Sequence, residues 1–142
     1  MPTGPIAADA TLADVDEGRL LAAIFPSFAG AARDLVGPGD DAAVVGVTSG
    51  SIVATPDSMV RGRDWLDVWS SAADVAVKCL TQNLADVVAM GAVPTSLLLS
   101  LIADPATPVA WVADFARAMG AEAALHDVTV VGGDLSSAPA GT

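Results

Sequence analysis

Residues 70–103 read SSAADVAVKCLTQNLADVVAMGAVPTSLLLSLIA, and the two halves of this stretch demand different backbones. In the first half Val77, Leu80, Leu84 and Val87 recur at helical spacing. Ser71 followed three residues later by Asp74 is the sequence form of a capping pair, and Gly91 with Pro94 closes the helix. The second half, TSLLLSLIA, is too short for a helix of that apolarity and lacks polar alternation, so it predicts a strand covered on both faces. One domain of this size covers one face of a sheet with its own helices, and the other face then calls for a partner. The class that follows is α/β (α+β), a mixed sheet with helices packed on one face.

Upstream, TLADVDEGRLLAAIFPSF predicts a first helix, with Thr11 as N-cap, Asp14 three residues on, apolar Leu20, Leu21, Ile24 and Phe25, and a stop at Pro26. The preceding MPTGPIAADA has the composition of a loose arm. AAVVGV from Ala42, the turn residues Thr48-Ser49-Gly50 and then SIVAT read as a hairpin of two strands. Downstream, Thr107 as cap, Pro108 at the first helical position and a stripe of Val112, Phe115 and Met119 predict another helix, with Gly120 blurring its end. VTVVGGDLSS then reads as a β-branched strand that breaks at two glycines and an aspartate. The division expected is residues 1–19, the arm and the start of the first helix, and residues 20–142, the domain itself.

Six basic residues against seventeen acidic ones give a net charge of −11. That balance excludes binding to nucleic acid or an anionic membrane through a basic patch. Apolar residues make up 53%, as expected of a packed domain and not of an acidic disordered tail. No stretch is long enough to span a bilayer, no basic start precedes an apolar run, and the single cysteine, Cys79, allows no internal disulfide. A cytoplasmic setting is the expectation.

GPGDDAAVV, residues 37–45, places Asp40 beside Asp41 at the mouth of a strand, an arrangement of like charges that a cation would relieve. Asp41, Asp57 and Asp134 each sit where an expected strand meets a bend, where an aspartate can also simply bond its own turn. Asp86 has no turn to serve: with Asn83 it projects from one flank of the central helix, either into solvent or toward a metal. Hard oxygen donors of this kind suit Mg²⁺, and the chain has no Cys or His cluster to suit zinc. His126 reads as a helix-end residue and Cys79 as a packed one. An acidic protein that handles phosphate esters must bring in positive charge, and divalent ions bridging carboxylates to phosphates supply it. No GxxxxGK[ST] loop is present, whereas the Gly-Gly pair of VVGGD would let backbone approach a phosphate closely. RGRDW, residues 61–65, reads as a surface loop with local ion pairs or as a substrate-contact loop.

The ordered set GDDAA, TPD-x-x-V-x-G, NLADVVAMGA-x-P and GGD resembles the N-terminal half of the thiamine-monophosphate kinases. These belong to an ATP-binding superfamily shared with aminoimidazole ribonucleotide synthetase and selenophosphate synthetase. The resemblance runs from about Leu20 to Ser136, and NLADVVAMGAVP is its most specific piece. It implies Mg²⁺-dependent phosphoryl transfer from ATP to thiamine phosphate, giving thiamine diphosphate. It implies Asp41, Asp57, Asp86 and Asp134 as metal ligands, Thr55 assisting a metal, Gly133 and Asp134 along the nucleotide, and Asp64 at the substrate position. No protein residue is implied as a catalytic base. It also implies a second α/β domain that this chain does not reach, and a homodimer in which the sheets of two protomers form a barrel. Pro56 stands where the family has Thr, and Asp64-Trp65 where it has His-Phe. A sister ATP-using enzyme and a non-catalytic dimerisation module remain alternatives.

Overall fold

The computed structural model describes residues 5–28, 34–36, 42–48 and 50–138. In chain order its elements are α1 (Glu17–Ile24), β1 (Asp34–Val36), β2 (Val44–Val45), α2 (Ala72–Ala89), β3 (Ser96–Ala103), α3 (Val109–Leu125) and β4 (Thr129–Ser137), with 3-10 turns at Leu12–Asp14 and Phe25–Phe28. β3 and β4 pair in parallel, joined through α3, and β1 pairs antiparallel with β2.

α2 begins where the sequence predicts. The Asp74 carboxylate accepts from the Ser71 N–H at 2.8 Å and from its hydroxyl at 2.6 Å, and Ser71 Oγ accepts from the Asp74 N–H at 3.2 Å. Those bonds, the hydroxyl's first, hold the Asp74 carboxyl below the ordinary 3.8. The helix stops at Gly91, whose φ of 76° is left-handed and costs glycine no side-chain clash. Its inner face, Val75, Ala76 and Leu80, packs on Val112, Phe115, Ala116 and Met119 of α3, and Leu80, Met119 and Val112 are the largest fully buried side chains. Leu20 and Ile24 of α1 and Val128 and Val130 beside and within β4 close this core.

Two elements differ from expectation near the start. Thr11 and Asp14 do form a cap, but it closes only the 3-10 turn; Val15 is extended, and Asp16 caps α1 afresh by accepting from Arg19 N–H at 3.0 Å. The chain then winds through Pro26 in a second 3-10 turn, whose opening positions need no N–H donor. The arm expected to be loose is docked from Ile6 on: Ala10 is buried, its carbonyl accepts from Val109 N–H, and Leu12 N–H donates to Thr107 O. With that backbone tied down, Pro108 takes the N-cap position itself, and no side chain caps α3.

The expected hairpin is absent among the described residues. Val44–Val45 pairs with Asp34–Val36, and residues 51–55 form no strand. Pro56 lacks an N–H, and residues 52–55 belong to no strand among the described residues. The last strand does not break at its glycines but runs through Gly132, Gly133 and Asp134 to Ser137. Glycine is needed at 133 because a Cβ there would lie 1.8 Å from Leu99 O of β3.

β3 has one covered face and one open one. Leu97, Leu99 and Leu101 pack toward the helices, whereas Leu98 and Ile102 are 67% and 66% exposed. The strand is therefore half-covered in the single chain, and its bare face borders a wide groove with residues 51–60.

Leu80→Ala is expected to lower folding stability by about 2–5 kcal/mol, read by denaturant melts, because the void opens at the α2–α3 seam. Gly120→Ala should also destabilise despite the helix preference of alanine: its Cβ would fall 1.7 Å from the Ser27 carbonyl oxygen.

Candidate metal and phosphate site

Cys79, Gln82, Asn83 and Asp86 are spaced by three and four along α2 and share one flank. The segment Thr55–Pro56–Asp57 lies against that flank. Asn83 Oδ1 accepts from Asp57 N–H at 2.9 Å, while its Nδ2 donates to Asp57 O at 3.2 Å and to Cys79 O at 2.9 Å. Gln82 Nε2 donates to Asp57 Oδ2 at 3.1 Å, and one turn along the helix Thr55 Oγ1 donates to Asp86 Oδ2 at 3.4 Å. Thr55, Asp57 and Asp86 are thus brought to one place from positions up to 31 residues apart.

Neither Asp57 nor Asp86 is paired with a lysine or arginine among the described residues, and Oδ1 of each accepts no hydrogen bond there. Cys79 senses this charge: burial first, and then the Asp57 carboxylate, push its thiol above the ordinary 9.0. The donor set is a threonine hydroxyl and two carboxylates, the hard oxygens Mg²⁺ prefers, with positions left over for water and phosphate. The residues fit such an ion. Among the described residues, no three His, Cys, Asp or Glu side chains come close enough to hold a metal by themselves.

The other residues read from the sequence are placed differently. Asp41 lies outside the described residues. Asp134 does not follow β4 but sits within it, in register with Ser100, and accepts from Ser136 Oγ at 2.8 Å. Gly133 is explained by its close approach to β3 without any ligand. Asp64 turns back on its own loop, accepting from Val60 N–H at 2.7 Å, while Lys78 Nζ donates to its carbonyl. Arg61 pairs with Asp67, and His126 ends α3 with Glu122 at 3.2 Å.

Sequence reasoning missed Gln82 as the residue that holds the Asp57 carboxylate. Its adjacency to Asn83 was the available sign, but only the fold reveals that Asp57 lies opposite. It also missed that Trp65 stacks on Trp111, centroids 5.4 Å apart, and Trp111 on Phe115 at 5.5 Å, which docks the 60–67 loop onto α3. Among the described residues, no helix is long and apolar enough to cross a membrane.

The fold belongs to a recognisable class. Residues 39–142 match the family described as AIR synthase related protein, N-terminal domain, and the chain belongs to that family. Its relatives include a thiamine-monophosphate kinase of Mycobacterium tuberculosis, 39% identical over 103 residues, covering 72% of this chain and 31% of that protein. Another, from Corynebacterium glutamicum, is 40% identical over 101 residues, covering 70% and 30%. The crystal structure of thiamine-monophosphate kinase from Stenotrophomonas maltophilia K279a superposes with a TM-score of 0.70 at 32% identity, covering 88% of this chain and 39% of that one. The chain therefore spans about a third of the length of the curated relatives it matches.

Asp57→Asn removes one of the causes that raise the Cys79 pKa. The rate–pH profile for alkylation of this sole cysteine is expected to shift to lower pH; an unmoved profile would separate the two groups.

Proposed function

We propose that this chain is the N-terminal, metal- and nucleotide-binding part of a kinase that transfers a phosphoryl group from ATP to thiamine phosphate, giving thiamine diphosphate and ADP. The observation that carries this reading is the convergence of Thr55, Asp57 and Asp86 on one flank of α2, in a chain whose relatives bear that kinase name. A phosphate oxygen of thiamine phosphate would attack the γ-phosphorus of ATP as the bond to the β-bridging oxygen breaks. Such a transfer asks for positioning and charge neutralisation and needs no protein base.

Asp57 and Asp86 would offer their open carboxylate oxygens to Mg²⁺, with the Thr55 hydroxyl beside them and Asp41 and Asp134 completing the set. Bound there, Mg²⁺ would neutralise phosphate charge that a chain of net charge −11 cannot neutralise itself. Gly133 would lie along the nucleotide phosphates and Asp64 near the substrate. The remaining length of the relatives would supply the rest of the site, so this segment by itself is expected to bind without turning over.

The open face of β3, with Leu98 and Ile102, and the exposed residues Ile52 and Val53 support a homodimer closed through the sheet into a barrel; the enzyme would be cytoplasmic.

Calorimetry with Mg²⁺ and a non-hydrolysable ATP analogue should show binding that Asp86→Asn weakens at least about tenfold, or ~1.4 kcal/mol; indifference would count against the assignment. In the full-length protein, ADP should form with thiamine phosphate. ADP formed only with an aminoimidazole-pathway substrate or selenide would point to a sister enzyme, and no nucleotide binding at all to a dimerisation module. Leu98→Glu should convert dimer to monomer by sedimentation.

A further inference from the structure

We infer that Asn83, assisted by Gln82, is the positioning device of the site: it fixes the peptide unit of Asp57 against α2 so that one carboxylate oxygen faces a divalent cation. This rests on the cation reading above and adds how the ligand is aimed.

Asp57 lies in a segment that belongs to no strand, so its backbone has no ladder to hold it. Asn83 takes the place of one. Its amide accepts from the Asp57 N–H and donates to the Asp57 carbonyl, at 2.9 and 3.2 Å, the two-bond exchange that a residue on a neighbouring strand would make. One such bond would leave a hinge; two fix the rotation of the peptide about the chain axis. The bond from Nδ2 to Cys79 O ties the same amide to its own helix, so the clamp cannot swing. Gln82 then occupies Asp57 Oδ2 through Nε2, and Oδ1 is left open. The Gln82 Oε1 is buried and accepts nothing among the described residues, so that amide is oriented by the carboxylate alone.

The chemistry of the clamp is as telling as its geometry. A lysine or arginine at 82 or 83 would also hold Asp57, but it would neutralise the carboxylate and compete with an arriving cation. Neutral amides orient the charge and leave it available. Groups that orient a metal ligand in this way change affinity about 10–100-fold when removed.

The test is a double-variant cycle read by Mn²⁺ binding, with the free-ion electron paramagnetic resonance signal as measure and the exchange rate of the Asp57 amide as second readout. Asn83→Ala is expected to weaken Mn²⁺ binding about 10–100-fold and to speed Asp57 amide exchange, while having no further effect on Mn²⁺ once Asp57→Asn is present. Additive losses in the double variant, unchanged Mn²⁺ affinity, or unchanged amide exchange would overturn the inference while leaving the cation reading standing. Failure of the unaltered chain to bind Mn²⁺ would overturn both. If Asn83→Ala does not fold, Gln82→Ala in the same cycle tests the carboxylate half of the device by Mn²⁺ binding alone: weaker binding that vanishes as a separate effect once Asp57→Asn is present supports it, and unchanged affinity or additive losses overturn it.

Discussion

The packing of α2 against α3 through Leu80, Val112 and Met119 is the contact on which the rest depends. A helix buried along one stripe has its other faces assigned by geometry alone. Once Val75, Ala76 and Leu80 are turned inward, Cys79 and Asn83 face the groove, and the segment at Thr55–Asp57 lies along that flank of the helix. The close approach of Gly120 to the Ser27 carbonyl and of Gly133 to Leu99 belongs to the same frame, since each lets backbones meet where a side chain would hold them apart.

On that flank, electrostatics and hydrogen bonding are divided between different residues. Asp57 and Asp86 carry the charge, and no basic side chain among the described residues quenches it. Neutral amides and a hydroxyl fix where the charge points. A carboxylate held by neutral donors keeps its affinity for a cation, and this is the property that a protein with seventeen acidic and six basic residues needs if it is to hold phosphate esters. The Cys79 thiol is raised by burial first and by the Asp57 carboxylate second.

The sheet is unfinished in the same region. β3 covers its inner face with helices and leaves Leu98 and Ile102 in the open, and the apolar residues Ile52 and Val53, which line the same groove, are exposed and belong to no strand among the described residues. Exposed apolar surface of this kind favours association. The groove that borders the candidate site thus also carries this open apolar surface.

How much was legible beforehand follows from the range of the forces involved. The sequence by itself determined α2, its Ser71–Asp74 cap and its Gly91 stop, the strand at Ser96–Ala103 and the stripe of α3, because capping and burial periodicity are set by residues a few positions apart. It also determined the family. Where local cues competed it misled: Thr11 caps only a 3-10 turn because Val15 is extended, and SIVAT, with every mark of a strand, forms none among the described residues. Only the tertiary structure decided that Asn83 captures the Asp57 backbone, that Gln82 holds its carboxylate and that Asp134 lies inside a strand. Those contacts join residues 25 or 26 positions apart, or depend on a neighbouring strand, and no local pattern encodes a distance that exists only after the helices have packed.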